Sequence, residues 1–159
     1  MRPKPFMPTV LNDDKRFVRD QTSDLVWHRV FHRPLYIDTD RSGVVHHANY
    51  LRYFELGRSE LMRDLGYPYR EVEADGFVYP IIELGNSYYQ PLHYDDPMWV
   101  HTRPAQLERV RVRFDYLITN ADSGEVLCQG FTRHCCLGSS GKPAPIDEQT
   151  TKFWQSFPS

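Results

Sequence analysis

No apolar run in this 159-residue chain is long enough to cross a bilayer as a helix. Its first 24 residues, opening MRPKPFMPTV, lack the apolar stretch of a signal peptide. A cytoplasmic location is the expectation. Cysteine is scarce: Cys128, Cys135 and Cys136 form neither a metal-binding spacing nor an even-numbered disulfide framework, and read as small half-buried residues in a reducing compartment. There is no glycine-rich phosphate loop and no Gly-x-Ser-x-Gly elbow, which argues against nucleotide hydrolysis and serine-type hydrolysis. The 7 histidines form no His-Glu-x-x-His or comparable pair, so no metal is expected. A strong excess of one charge is missing too. The formal net charge of −2 supplies no field to recruit nucleic acid or anionic lipid.

What the chain does hold fits one soluble domain with a single core. Aromatics reach 14%, more suited to sheet faces and ligand-lined grooves than to a helical bundle. Residues 1–24 are rich in proline and charge and show no periodicity, so they read as an arm, flexible in part, ahead of a domain over 25–159. Trp27–Ile37 reads as a strand limited by Pro34, and Asp38–His46 as a loop with a central glycine. From His47 to Leu65 the pattern turns helical, with Tyr50, Phe54, Gly57, Leu61 and Leu65 on one stripe and Gly66 as the stop. Such a helix would be about 30 Å long. Gly57 inside its apolar stripe predicts a close neighbour, and hence a helix wrapped by other elements.

Downstream, Phe77–Gln90, Met98–Arg109, Val110–Thr119 and Glu125–Leu137 read as strands, with Asn120–Gly124 as a hairpin turn. Val110, Val112, Phe114, Tyr116 and Ile118 alternate with Arg111, Arg113 and Asp115. Pro80 suggests an edge strand, and a short helix is expected near Asp147–Phe157. The plan is α+β: one antiparallel sheet of about five strands around a long central helix.

The chemistry concentrates in Tyr36–Glu60, YIDTDRSGVVHHANYLRYFELGRSE. An aspartate is ionised at neutral pH without tuning, since its reference pKa is about 3.9. A carboxylate at Asp40 can attack a carbonyl carbon or take a proton from water, and both routes stay open. Asp38 reads as a turn or helix-cap residue. The helix start at His47 offers unpaired amides and a positive dipole end, and no Ser, Thr, Asp or Asn directly precedes it to cap them. By helical count, His47 projects on the side of Phe54 and Leu61, toward the site; a histidine satisfied by its neighbours is the competing reading. His46 points elsewhere and is assigned no role. Arg58 falls inside the apolar stripe, where a cation needs a carboxylate, with Glu55 nearest. That pair reads as structural, with Glu55 as a second catalytic carboxylate the lesser alternative. Tyr36 lines an acyl pocket or is simply a strand aromatic. Arg111 and Arg113 suit CoA phosphates or a solvated strand face equally.

The motif Asp38-Thr39-Asp40, Gly43-Val44-Val45, His47-Ala48-Asn49-Tyr50, Phe54-Glu55, Arg58 and Glu60 resembles the family of 4-hydroxybenzoyl-CoA thioesterase and the Tol–Pal-associated acyl-CoA thioesterases. Tyr89-Gln90-Pro91, Tyr94-Asp95-Asp96 and Gly130-Phe131-Thr132-Arg133-His134 extend the likeness, which covers roughly Leu35 to Pro145. The resemblance implies a hot-dog fold and hydrolysis of acyl-CoA or acyl-carrier thioesters without a cofactor, coenzyme A being part of the substrate. It implies that Asp40 carries the chemistry and that the backbone amide of His47 polarises the thioester carbonyl. The His47 side chain would help place substrate or water, as in the Tol–Pal-associated branch; the 4-hydroxybenzoyl-CoA branch has tyrosine there. Gly43, Val44, Val45, Tyr36 and Arg58 would contact substrate. A homodimer or homotetramer is implied, with the active site at the subunit boundary. A hot-dog module that binds acyl-CoA without cutting it is the alternative, and a hot-dog dehydratase would need a His–acid arrangement that the sequence lacks.

Overall fold

The computed structural model describes residues 2–159. Seven strands form one antiparallel sheet in the order β1-β2-β3-β5-β6-β7-β4. They are β1 (Pro8–Leu11), β2 (Asp14–Asp20), β3 (Val26–His32), β4 (Ile81–Tyr88), β5 (Met98–Leu107), β6 (Arg111–Asn120) and β7 (Val126–Cys135). Helix α1 (Tyr50–Asp64) lies against the inner face of the sheet, followed by the short α2 (Tyr69–Ala74); α3 (Glu148–Ser156) closes the chain.

Residues 8–20 do not form a loose arm. They make the β1–β2 hairpin that extends the sheet beyond β3, which raises the strand count from the expected five to seven. Asn12 and Asp13 supply the two positive φ angles (51° and 60°) that a tight hairpin turn requires. Val18, Trp27, Leu117 and Val126 form a small cluster, with Phe6 packed over it. The Phe6 ring meets His101 at 4.7 Å between centroids and Trp27 at 6.2 Å. Apolar burial on the outer sheet face thus orders a segment whose composition looked unstructured.

The main core lies between α1 and the sheet. Tyr50, Phe54, Gly57 and Leu61 are buried as their spacing predicted, joined by Tyr53 and Met62. On β6, Val112, Phe114, Tyr116 and Ile118 face the helix, and Phe54 stacks on Tyr116 at 4.4 Å. A Cβ on Gly57 would fall 2.4 Å from Thr102 Oγ and 2.9 Å from a Val100 methyl, so glycine is what lets the helix seat on β5. Gly66, at φ +87°, ends the helix: its N–H bonds to Arg63 O and that of Tyr67 to Met62 O. The helix begins at Tyr50 rather than His47, because His47–Asn49 form a separate 3-10 turn.

Two fold predictions follow from this packing. Gly57→Ala gains helix propensity but overfills the β5 contact, so chemical denaturation should show a net loss of about 1–2 kcal/mol; a gain would contradict the close approach. Buried His101 and His134 are held neutral, their pKa values pushed down by desolvation to about 3 and about 4. The unfolded chain takes up those protons near pH 6.5 and the folded one does not, so stability present above 6.5 is lost as pH falls toward 4. For His134 the loss is on the order of 3 kcal/mol at the bottom of that window. Thermal unfolding midpoints should fall steadily from pH 6.5 to 4, and a flat profile would refute the assignment.

Candidate active site

The motif loop is anchored from below by Asp38, whose side chain is 2% exposed. One carboxylate oxygen accepts from the Tyr53 hydroxyl at 2.9 Å and the Leu35 amide at 3.0 Å; the other meets Arg52 at 2.9 Å. The Asp38 carbonyl accepts from His46 N–H and from the Asn49 side chain. The turn role read from the sequence therefore holds, and it extends to pinning the loop on the first turn of α1. Burial and the adjoining Asp38 carboxylate push the Tyr53 hydroxyl far above its ordinary pKa, so it remains a donor.

From that anchor the chain makes a narrow hairpin. Thr39 bridges Val45, Asp40 N–H bonds to Val44 O at 2.8 Å, and Gly43 turns the chain at φ +83°. Asp40 sits at the turn and is exposed. Its Oδ1 accepts from the Ser42 amide at 2.8 Å and from the Ser42 hydroxyl. Those bonds, aided by the nearby His46 imidazole, hold the carboxyl below the usual aspartate range. Among the described residues Oδ2 has no hydrogen-bond donor. The pattern Asp-x-Ser-Gly signals such a side-chain turn, and the Ser42 contact was legible there.

At the other end of the loop His46 has a role that helical counting missed. Its Nδ1 accepts from Ala48 N–H at 3.2 Å, so it caps the 3-10 turn, and its ring lies 4.2 Å from that of His47. The two rings do not point apart, and the His47 side chain is exposed rather than directed into the core. The 3-10 turn explains both differences, since it breaks the 100° step on which the projection relied. The His47 N–H has no acceptor among the described residues, while its carbonyl accepts from Tyr88 Oη at 2.6 Å. Val44, Val45, His47, Tyr50, Tyr88 and Pro91 border an open cleft of about 250 Å³.

Two expected substrate contacts lie elsewhere. Tyr36 occupies a 3-10 turn, not a strand; it is 78% exposed, meets the Tyr94 ring edge-on at 5.7 Å, and does not border the cleft. Arg58 forms no ion pair with Glu55, bonding instead to Tyr116 Oη at 2.9 Å two turns along α1. Asp40 is not among the residues that border this cleft.

Because the Asp38 carboxylate satisfies three polar groups in a buried setting, Asp38→Ala strands Tyr53 Oη and the Leu35 amide. The expected cost is about 2–4 kcal/mol in chemical denaturation. A cost under about 0.5 kcal/mol would show that the loop is held by other means.

The model of the Thioesterase-like superfamily matches residues 35–153. The chain is 36% identical over 124 residues to the Bacillus subtilis (strain 168) protein named "Putative acyl-CoA thioesterase YneP", covering 77% of this chain and 84% of that protein. It is 30% identical over 125 residues to a 1,4-dihydroxy-2-naphthoyl-CoA hydrolase of Thermosynechococcus vestitus, covering 77% and 85%. A crystal structure of DHNA-CoA thioesterase from Staphylococcus aureus superposes with a TM-score of 0.75 at 26% identity, over 82% of this chain and 88% of that one. The motif loop, α1 and strands β4 to β7 fall within the matched residues; β1 to β3 precede them. The chain belongs to the Thioesterase-like superfamily and has its hot-dog fold.

Proposed function

We propose that the chain hydrolyses acyl-CoA thioesters with Asp40 as the reacting carboxylate and the His47 amide as the donor that receives the developing oxyanion. It is a thioester hydrolase of the acyl-CoA class, as the family and the named relatives support. The observation that carries the site assignment is the pairing, within one short loop, of an ionised carboxylate with one unbonded oxygen and a backbone N–H without an acceptor. An amide fixed before reaction stabilises charge that appears only in the transition state. Ser42 holds Asp40 by one oxygen, which restricts its rotamers and leaves Oδ2 to attack the carbonyl or to deprotonate water. The exposed His47 imidazole, tilted against that of His46, lies beside that amide and suits the placing of substrate or water. Gly43, Val44 and Val45 form the floor against which the thioester rests. The reading gives no metal or cofactor a role, and coenzyme A enters as part of the substrate.

The proposed working unit is a dimer or a tetramer. Edge strand β4 leaves Ile81, Ile82, Leu84 and Tyr88 between 44% and 50% exposed, a row of apolar side chains beside unpaired backbone groups. Tyr88 also borders the cleft and bonds to His47 O. A second copy seated on β4 would roof the open cleft and lower the dielectric around Asp40. A cytoplasmic setting accords with three free cysteines and with the lack, among the described residues, of any helix long and apolar enough to cross a membrane.

Thiol release from short, medium, long and aromatic acyl-CoAs tests the proposal. Asp40→Asn should lower kcat for the best substrate by about 10²- to 10⁴-fold, with its unfolding midpoint near that of the parent. Equal rates would assign the chemistry to another group. No hydrolysis of any thioester by the parent protein would favour a module that binds acyl-CoA without cutting it.

A further inference from the structure

A second cavity of about 240 Å³ lies along the C-terminal half of α1, where α3 folds over the inner face of the sheet. Met62, Val112, Phe114, Phe153 and Trp154 make its apolar wall; Arg58, Ser59, His134 and Thr150 make its polar one. It shares no lining residue with the cleft at His47. Between the two stands Phe54, stacked on Tyr116 and pressed so closely on Gly130 that a Cβ there would come within 2.8 Å of the ring.

The polar wall has a defined direction of hydrogen bonding. His134 Nδ1 faces the Tyr79 carbonyl at 2.9 Å, so that nitrogen carries the proton and donates. Nε2 must then accept from Thr132 Oγ at 2.8 Å, Thr132 Oγ accepts from Tyr116 Oη at 2.7 Å, and Tyr116 Oη accepts from Arg58 at 2.9 Å. Every proton in this relay is committed, and it offers Arg58 one acceptor. No carboxylate of the described residues lies within 4 Å of that guanidinium; Glu55, on the rim, is solvent-exposed. Burial and the adjacent Arg58 charge push His134 down to about 4, so Arg58 is the one positive charge facing the cavity. A half-buried cation without a counter-ion favours an anion beside it. Thr150 adds a second, independent sign. It is only 6% exposed, and its Oγ, beside the Tyr79 hydroxyl, makes no geometrically sound hydrogen bond.

We propose that this cavity binds a small organic carboxylate, with its carboxylate on Arg58 and Thr150 and its apolar body against Phe153 and Trp154. At protein packing density the volume holds roughly ten non-hydrogen atoms, which selects single-ring aryl acids and medium-chain acids near eight carbons. Such acids are the chemical class that thioester hydrolysis releases, yet the site is separate from Asp40 and its occupancy does not depend on how Asp40 reacts.

Calorimetric titration of the full chain with benzoate and octanoate tests this. The expected result is saturable binding of one acid per chain with Kd below about 1 mM, and at least tenfold weaker binding of benzyl alcohol and octanol. Arg58→Met should weaken acid binding at least tenfold, and Arg58→Lys by less. Ser59→Phe, which fills the cavity from the helix surface and leaves Arg58 in place, should abolish it. Asp40→Asn should bind the acids as the parent does. Absence of saturable binding, equal affinity for the alcohols, or unchanged affinity in a folded Arg58→Met or Ser59→Phe protein overturns the proposal. Loss of binding in Asp40→Asn also overturns it, by placing the acid in the thioester site.

Discussion

The buried carboxylate of Asp38 is the contact on which the site depends. Taking a carboxylate out of water is unfavourable unless its oxygens are saturated with donors. Here the donors come from three places in the chain: the turn at Leu35, and Arg52 and Tyr53 on α1. Saturating one charge therefore joins the motif loop to the helix. The Asp38 carbonyl reinforces the join through His46 and Asn49, just where the 3-10 turn begins. Without that clamp the loop would be a solvent-exposed excursion with a glycine at its tip, and neither Asp40 nor the His47 amide would have a fixed place. The helix is fixed in turn by Gly57 on β5 and by the Phe54–Tyr116 stack, so the position of the loop is ultimately set by the core.

The division of labour between the two aspartates follows from burial. They stand two residues apart, yet Asp38 closes a 3-10 turn packed against α1 and is buried, while Asp40 lies in the exposed turn at Gly43. The inner one gives both oxygens to structure. The outer one is tied by one oxygen to Ser42 and keeps the other unbonded. A structural and a reactive carboxylate can thus be told apart by the number of donors each has.

Much of this was legible in the sequence because it obeys short periods. The alternation of Val112, Phe114, Tyr116 and Ile118, the stripe from Tyr50 to Leu61, Gly66 as the stop and the Asn120–Gly124 turn each report a local rule. The motif from Asp38 to Tyr50 carried the family. What stayed hidden was tertiary or broke the period. The β1–β2 hairpin is ordered by Phe6 and Val18 against Trp27 and Leu117, a contact no window around residues 1–24 contains, although Asn12-Asp13 could have signalled the turn. Helical projection failed at His46 and His47 because a 3-10 turn lies there. Arg58 was expected to meet Glu55, its neighbour on the helix, but found a phenol on β6, 58 residues away. The enclosing role of α3, which roofs the second cavity, likewise has no local signature.

The central claim is spatial: a thioester carbonyl lies between the side chain of residue 40 and the amide of residue 47. A crystal structure of Asp40→Asn with a slowly cleaved acyl-CoA measures this directly. The account predicts the carbonyl carbon within about 3.5 Å of the residue 40 side chain and the carbonyl oxygen about 3 Å from His47 N. A bound thioester whose carbonyl lies away from both groups would contradict it.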